Sequence, residues 1–576
     1  MDIFYRAAQE LKLSNPKYKI LLIGSCYIDS LYTEFEKIYP LHKYYCYNST
    51  ADVIMDFSYD FMVANYPLRF LEVECNFFKV NYNIDEALEY YKETLAKLYN
   101  ELDKFIDTCK KLKIPLFYIG YIIPQFPTMG RLFKKHCLTN HSYFVQKLNE
   151  SLEDYLLKHH NCYYLDAESS ISSYGKKTFL DDMRFIESHN TFSYENSIDY
   201  IQIDNYKSSR EFLGPINYTH FKSICVEIIS MYRTLTRTDE IKLVIFDLDG
   251  IIWRGIPAEN IIETNEGWPA GIQEAILILK KRGILLAICS KNDESFIEKN
   301  WDTLVQKRIP WDYFCVKKIN FNSKIENIQD ILNLTNILPS SVLFVDDHPI
   351  ERESVKHAFP DIRVIGDDIV FLKKILLTSS ELQPIVITKE SLNRSASIQH
   401  YVIHKKFGTA NEFLTTIDLK LIVEKTQLCH LNRVFELFNK TNQFNSIGYR
   451  YTFDEIHQLF ENNLIYHGSV SDKYIDYGIM ICLILKNNII EHIIMSCRIF
   501  NLSIENAFIK QMMNKISNEF ITVSFKSTDR NNPCLCSFIR CGFDMSYISS
   551  TKITQHFLNK TDFKNLCGHI TVYDKS

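Results

Sequence analysis

Asp247 and Asp249 stand two residues apart, directly after the apolar run Leu243-Val-Ile-Phe246. Residues two apart on a strand point the same way. Where the run frays into a loop, both carboxylates can face one metal ion and one phosphate. Asp247 has the place of a nucleophile and Asp249 that of a general acid/base. Three further groups follow in chain order. Ser290 comes after the apolar run 285–289 and offers a hydroxyl to a phosphate oxygen. Lys324 opens a helical pattern and can neutralise the charge that develops on a transferring phosphoryl group. Asp346 and Asp347 close a third apolar run, 341–345. Asp247, Asp249, Asp346 and Asp347 together form an oxygen donor set of the kind that holds Mg²⁺. Taken singly, Ser290 reads as a helix N-cap, Lys324 as a solvated lysine and the Asp346-Asp347 pair as a turn. Taken jointly, at strand ends and in this order, they predict a phosphoryl-transfer site.

The elements that must position these groups alternate. The runs 243–246, 285–289, 341–345 and 362–365 read as buried parallel strands. Helical patterns over 270–282, 325–332 and 350–357 separate them. Carboxylates at the C-terminal ends of such strands sit where open α/β sheets place their chemistry. The chain before this stretch alternates too: a strand at 19–23, a long amphipathic helix at 85–113, a strand at 114–123, a helix at 141–159, a strand at 162–165 and a helix at 221–235. After a charged helical bridge over 388–406, helices at 431–439 and 453–461 mix with strands at 477–485, 489–496 and 521–525. The sequence therefore divides into 1–236, 237–385, a linker 386–412, and 413–576. The expected classes are α/β, α/β with a parallel Rossmann-like sheet, and α+β.

Composition sets the wider limits. The 576 residues are 46% hydrophobic and 23% charged, with a net charge of −5, which predicts several globular domains and gives no basic surface for nucleic acid. Residues 1–18 lack the apolar core of a signal peptide, and the longest apolar stretch, 114–124, is too short to span a bilayer. The sixteen cysteines follow no disulfide rhythm, so free thiols in a reducing cytoplasm are expected and no membrane partner. Cys534, Cys536 and Cys541 cluster without a fourth zinc ligand.

Three strings carry a family likeness. They are Phe246-Asp-Leu-Asp-Gly-Ile-Ile-Trp-Arg-Gly255, Ala287-Ile-Cys-Ser-Lys-Asn-Asp293 and Val345-Asp-Asp-His-Pro-Ile-Glu-Arg352. With them, the central part resembles the haloacid dehalogenase (HAD) superfamily, and more narrowly its FkbH-like branch. Lys440-Thr-Asn-Gln-Phe-Asn445, Arg450-Tyr-Thr and Met495-Ser-Cys-Arg498 resemble that branch's C-terminal part, which is similar to an acyl-CoA N-acyltransferase (GNAT) fold. The resemblance implies a Mg²⁺ enzyme acting on an acyl phosphate such as 1,3-bisphosphoglycerate. It implies phosphate removal and loading of the glyceryl-type unit, through an enzyme thioester, onto the phosphopantetheine arm of an acyl carrier protein in polyketide biosynthesis. Cys497 is the first candidate thiol and Cys289 the second. Asn442, Gln443 and Arg498 are implied contacts for the acyl or pantetheine group. The alternatives are a plain HAD-type phosphatase and a catalytically inactive adaptor.

The chain departs from the branch in four places, one of them the loop Ala258–Gly267 in place of an acidic-glycine loop. Gly250-Ile251 replaces an Asn-Thr pair, Arg254-Gly255 replaces Gly-Gly, and Asn501 and Ser503 stand where two glycines are usual. At the N-terminus, Ile23-Gly-Ser-Cys26 resembles the nucleophile block of SGNH hydrolases. The matching late motif is Asn217-Tyr-Thr-His220, which lacks the carboxylate that would orient the imidazole. Ser25 and His220 are the candidates there, in a domain expected to be non-catalytic.

Overall fold

The structure, a computed structural model, describes residues 11–24, 27–45, 58–71, 76–79, 83–125, 129–172, 176, 219–256, 261–262, 271–387, 398, 418–473, 476–496, 499–500 and 502–575. The chain falls into two compact units, Asn15–Tyr232 and a second made of Met1–Ser14 with Arg233–Ser576.

The first unit is built on a five-stranded, wholly parallel sheet of order β2-β1-β3-β4-β5. Its strands are β1 (Ile20–Gly24), β2 (Leu41–Tyr45), β3 (Phe61–Ala64), β4 (Leu116–Ile119) and β5 (Cys162–Leu165). Its longer helices are α1 (Tyr27–Phe35), α2 (Ile84–Leu112), α3 (His141–Leu156) and α4 (Thr219–Leu235). Asn83 caps α2 by accepting from the Asp85 amide, and Lys113 ends it in the left-handed region. The strand expected over 114–123 shrinks to the four residues of β4, although the buried run continues to Ile122. β2 and β3 have no counterpart in the sequence reading.

The second unit holds two layered domains. In the first, the order is β10-β9-β6-β11-β12, all parallel, with β6 (Leu243–Phe246), β9 (Leu285–Ser290), β10 (Phe314–Ile319), β11 (Val342–Val345) and β12 (Arg363–Ile365). A two-stranded hairpin, β7 (Gly255–Ile256) and β8 (Ile261–Ile262), follows β6. Helices α5 (Ile272–Lys281), α6 (Glu294–Leu304), α7 (Lys324–Thr335), α8 (Pro349–Ala358) and α9 (Ile369–Thr378) complete it. The strands are apolar on both faces. Val244, Phe246, Leu286, Ile288, Leu343 and Val345 enter one buried cluster, while Leu243, Ile245, Leu285, Ala287, Val342 and Phe344 enter the other. That two-sided burial is why the runs read as continuous rather than alternating. From the central β6 the chain moves to β9 and β10 on one side, then returns to β11 and β12 on the other. The crevice of such a sheet opens where that direction reverses, at the carboxyl ends of β6 and its neighbours.

The last domain is a mixed seven-stranded sheet, order β18-β17-β16-β15-β14-β13-β19. Its strands are β13 (Leu419–Lys425), β14 (Ile465–Ser471), β15 (Asp476–Lys486), β16 (Ile489–Met495), β17 (Phe520–Phe525), β18 (Thr554–Asn559) and β19 (Ile570–Asp574). Helices α10 (Leu431–Lys440), α11 (Phe453–Glu461), α12 (Ile504–Met513) and α13 (Asn532–Cys541) pack on it. Thr452 and Glu455 form a reciprocal capping box at the start of α11. β16 and β17 pair over only Ile489–Ile490 and Thr522–Val523. Beyond that, the segment 444–446 fills the gap. The Met495 amide donates to the Phe444 carbonyl (3.0 Å), the Ser446 amide to Ile493 (3.0 Å), and the Lys526 amide to Ser446 (2.8 Å).

Of the bridge expected over 388–406, only Ile398 is described; it is helical and buried. All described cysteines are free. Among the described residues, no helix is long and apolar enough to cross a membrane.

Trp301 is central to the parallel-sheet domain. It is 2% exposed and meets Trp253, Trp311 and Phe314 at centroid distances of 6.0, 4.9 and 5.6 Å. Its indole N–H donates to the Ile309 carbonyl at 2.7 Å. Replacing Trp301 with Ala should destabilise the protein by about 3–5 kcal/mol, the usual cost of emptying a large aromatic site. Urea unfolding checks this; a loss below about 1 kcal/mol would mean the cluster does not hold the domain together.

Candidate phosphoryl-transfer site

Four strand-end or helix-start groups converge at the carboxyl end of the parallel sheet. Asp247 follows β6 and Ser290 ends β9. Asp346 follows β11, and Lys324 is the first residue of α7, whose N-cap Ser323 accepts from the Glu326 amide. Lys324 is 3% exposed. Its ammonium donates to Asp247 Oδ2 at 2.7 Å and to Asp346 Oδ2. Burial alone would pull the Lys324 pKa down, but Asp247 and Asp346 outweigh it and hold the ammonium above the ordinary lysine range. Two carboxylates thus share one cation. Burial, and then the Asp247 charge, raise the Asp346 pKa against the pull of Lys324 and of the His348 amide.

The remaining acceptors are fixed by the backbone. Asp247 Oδ1 accepts from the Leu248 amide at 2.8 Å, and Asp346 Oδ1 from the His348 amide at 2.8 Å. Asp249 is held by two side chains, Trp253 Nε1 at 2.6 Å and Asn292 Nδ2 at 2.9 Å. Burial raises the Asp249 pKa, and the charges of Asp247 and Asp347 push the same way against these two donors. Asn292 also donates to Ser290 Oγ at 3.1 Å, tying the hydroxyl to Asp249. The turn that carries Asp249 is tight. The Ile252 amide bonds back to Leu248 (2.8 Å) and the Gly250 amide reaches Trp253 (2.9 Å). Gly250 has φ +71, and a Cβ there would overlap the Asp347 carboxylate. Gly250 is therefore what this close approach of Asp347 requires.

Ligand atoms of Asp247, Asp346 and Asp347 lie within 4.8 Å of one another. An all-oxygen set beside a space that only glycine leaves open fits Mg²⁺, which takes one or two carboxylates and completes its shell with water and phosphate. Asp249 was expected among these ligands and is not one of the group. Both its oxygens already accept hydrogen bonds, from Trp253 and Asn292.

Sequence reasoning missed three positioning residues, Trp253, Asn292 and Arg352. Arg352 donates to the carbonyls of Asp346 (2.8 Å) and Asp347 (2.7 Å), locking the turn that presents both carboxylates. Each belongs to one of the three family-like strings, and Asn292 lies two residues after Ser290, so the signal was present in the spacing.

The other expected residues are placed as follows. Cys289 is fully buried in the apolar layer beneath β9, and burial pushes its thiol up to about 12. It cannot serve as the acyl carrier, because strand alternation points it away from Ser290 and from solvent. Cys497, Arg498, Ser25 and Asn501 lie outside the described residues, as does the side chain of His220. Asn442 and Gln443 line an open cleft of about 750 Å³ together with Lys440, Ser496, Asn336 and Lys242. Arg450 donates to Asn442 Oδ1. Asn445, from the same string, is 1% exposed and accepts from His492 Nε2 at 2.7 Å, so its part is to hold the 444–446 insert. Lys242 precedes β6 and Asp247 follows it, which separates the cleft from the carboxylates by roughly 16 Å at the usual rise per residue. The two sites open at opposite ends of one strand.

The fold and site define a class: an open parallel α/β sheet with a carboxylate–lysine centre at its topological switch point, fused to a mixed-sheet domain. No family model and no curated protein matches the chain. Among solved structures it is similar to the N-terminal part of the protein BF1531 from Bacteroides fragilis, containing a phosphatase domain and complexed with Mg. The identity is 18%, over 65% of this chain and 97% of that one, with a TM-score of 0.45. It is also similar to a HAD-superfamily hydrolase of subfamily IA from Geobacter sulfurreducens, at 18% identity over 22% of this chain and 89% of that one, TM-score 0.17. A third is the 3-deoxy-D-manno-octulosonate 8-phosphate phosphatase from Moraxella catarrhalis, in complex with magnesium, phosphate and KDO. There the identity is 15%, over 30% of this chain and 97% of that one, TM-score 0.18.

Burial first, and then the Asp247 charge, raise the Asp347 pKa above its ordinary value. A carboxyl whose pKa is higher folded than unfolded costs the folded state stability as pH rises from the unfolded value through the folded one. Above that window the full cost is present. At neutral pH and without metal, Asp347→Asn should therefore raise the melting temperature, and it should shrink the further rise that Mg²⁺ gives the parent. Scanning calorimetry with and without Mg²⁺ reads both; a variant that melts lower in metal-free buffer would contradict the electrostatic account.

Proposed function

We propose that this chain is a Mg²⁺-dependent phosphohydrolase of HAD type, with Asp247 as its nucleophile. The observation that carries this reading is the buried Lys324 ammonium between Asp247 and Asp346, with Asp249 separately held by Trp253 and Asn292. Lys324 donates to Asp247 and neutralises charge on the transferring group. An Asp247 oxygen attacks phosphorus while the bond from phosphorus to the leaving oxygen breaks, and Asp249 gives that oxygen its proton. Asp249 then takes a proton from water as the water attacks the phosphoaspartate, releasing phosphate and restoring Asp247. Ser290, tied to Asn292, offers its hydroxyl to a phosphate oxygen. Mg²⁺ held by Asp247, Asp346 and Asp347 would supply charge neutralisation at the phosphate. Burial raises the Asp249 pKa, the direction that a proton donor needs.

A finer reading is acyl transfer from a phosphorylated acyl phosphate to a carrier-protein thiol. It is favoured by the cleft in which Asn442, Gln443 and Ser496, the neighbour of Cys497, meet. In this reading two bonds break at two places. The ester phosphate is lost at Asp247. In the other step the Cys497 thiolate attacks the acyl carbonyl, its C–O bond to phosphate breaks, and the thioester passes to the pantetheine thiol. The separation of the two sites along β6 accords with two such reactions. An acyl carrier protein is then the partner.

Asp249→Asn should lower kcat for phosphate release by about 10²–10⁴-fold, and Asp247→Asn should abolish it, both with Mg²⁺ present. Unchanged turnover in Asp247→Asn would remove the phosphohydrolase reading. Intact-mass spectrometry with 1,3-bisphosphoglycerate and a holo carrier protein tests the finer one. A glyceryl adduct lost in Cys497→Ala supports it; phosphate release with neither chain acylated leaves the phosphohydrolase alone.

A further inference from the structure

A second cluster of metal-binding chemistry lies in the mixed-sheet domain, apart from the carboxylate–lysine site. Glu424 on β13 and His467 on β14 are direct cross-strand partners, with His467 Nε2 3.6 Å from Glu424 Oε2. His430 ends the single 3₁₀ turn Leu428–His430 that leads into α10. Its ring meets that of His467 edge to face, with centroids 4.8 Å apart. One ligand atom from each of the three residues lies within 4.8 Å of the others.

Two nitrogens in this cluster have no hydrogen-bond partner although both are buried, His467 Nε2 and His430 Nδ1. His467 is 0% exposed. Buried polar atoms are normally paired, so two orphans in one cluster call for an explanation. The opposite nitrogen of His467, Nδ1, lies 3.2 Å from Thr426 Oγ1. With the proton on Nδ1 donated to that hydroxyl, Nε2 presents its lone pair toward Glu424 and His430, which is how metal-bound imidazoles are oriented. Burial pulls the His467 pKa down to about 4, in keeping with a neutral ring. Among the described residues, the other Glu424 oxygen, Oε1, has the mostly exposed Lys575 ammonium near it at 3.9 Å.

We propose that Glu424, His430 and His467 bind a divalent ion of the Zn²⁺ class. Two imidazoles and one carboxylate form a three-ligand set that leaves a fourth tetrahedral position for solvent. Imidazole donors select Zn²⁺, Co²⁺ or Ni²⁺ over Mg²⁺, so this site and the all-oxygen site of Asp247, Asp346 and Asp347 take different ions. The ion would pin the start of α10 to the β13–β14 pair.

The test is Co²⁺ titration of the full chain after chelator treatment, read by visible ligand-field absorption and by metal content per chain. One Co²⁺ per chain with strong, tetrahedral-type absorption is expected. Excess Zn²⁺ should displace it and excess Mg²⁺ should not. It should persist in Asp346→Asn and weaken at least about tenfold in His430→Ala and in Glu424→Gln. Both replace partly exposed residues, and circular dichroism confirms that they fold. No Co²⁺ uptake, weak octahedral absorption, loss of the signal in Asp346→Asn, or its full retention in a folded His430→Ala would each overturn the proposal.

Discussion

The parallel-sheet domain is organised around a shortage of positive charge. Asp247, Asp249, Asp346 and Asp347 all gather at the carboxyl ends of β6 and β11, and one buried ammonium, Lys324, lies between Asp247 and Asp346. Like charges in a low-dielectric crevice repel, and two acids sharing one cation cannot all ionise at ordinary cost. Other features of the site answer that constraint. Amides of Leu248 and His348 take one oxygen each. Trp253 and Asn292 each donate to one oxygen of Asp249. Arg352 anchors the turn through its carbonyls and leaves the carboxylate oxygens unspent. What remains is a surplus of negative oxygens, which is the condition for recruiting a hard divalent cation and, through it, a phosphate.

The same sheet sets two sites of one chain apart. A parallel strand has two ends with different neighbours. The carboxyl end of β6 carries the acids, while Lys242 at its amino end contributes to the cleft that Asn442, Gln443 and Ser496 also line. β6 is wholly buried on both faces, so neither site can be remodelled through it without disturbing the core.

Much of this was legible in the sequence because it depends on local order. Leu243–Phe246, Val342–Val345 and the residues after them announced strand, acid and turn in one short string. The group from Asp247 to Asp346 was brought together as the strand-end reading required. What escaped was non-local or masked by polar residues. β10 carries Lys317 and Lys318, and β13 sets Lys420 and Glu424 among apolar residues, so neither is a plain apolar run. β2 and β3 are short and set among aromatic and polar residues. The setting of Glu424 and His467 depends on strand register, which no local pattern encodes. Asp249 was assigned to the metal because spacing gives proximity but not hydrogen-bond partners. Cys289 looked available because its neighbour Ser290 is functional in type, yet the pleat turns adjacent residues to opposite faces.

The indole that orients Asp249 belongs to a larger array. Trp253, Trp301 and Trp311 lie in sequence with centroids 6.0 and 4.9 Å apart, and the chain has only four tryptophans. The ring whose N–H touches Asp249 thus places a fluorophore against that carboxylate, so a change of charge there acts directly on one indole of the trio.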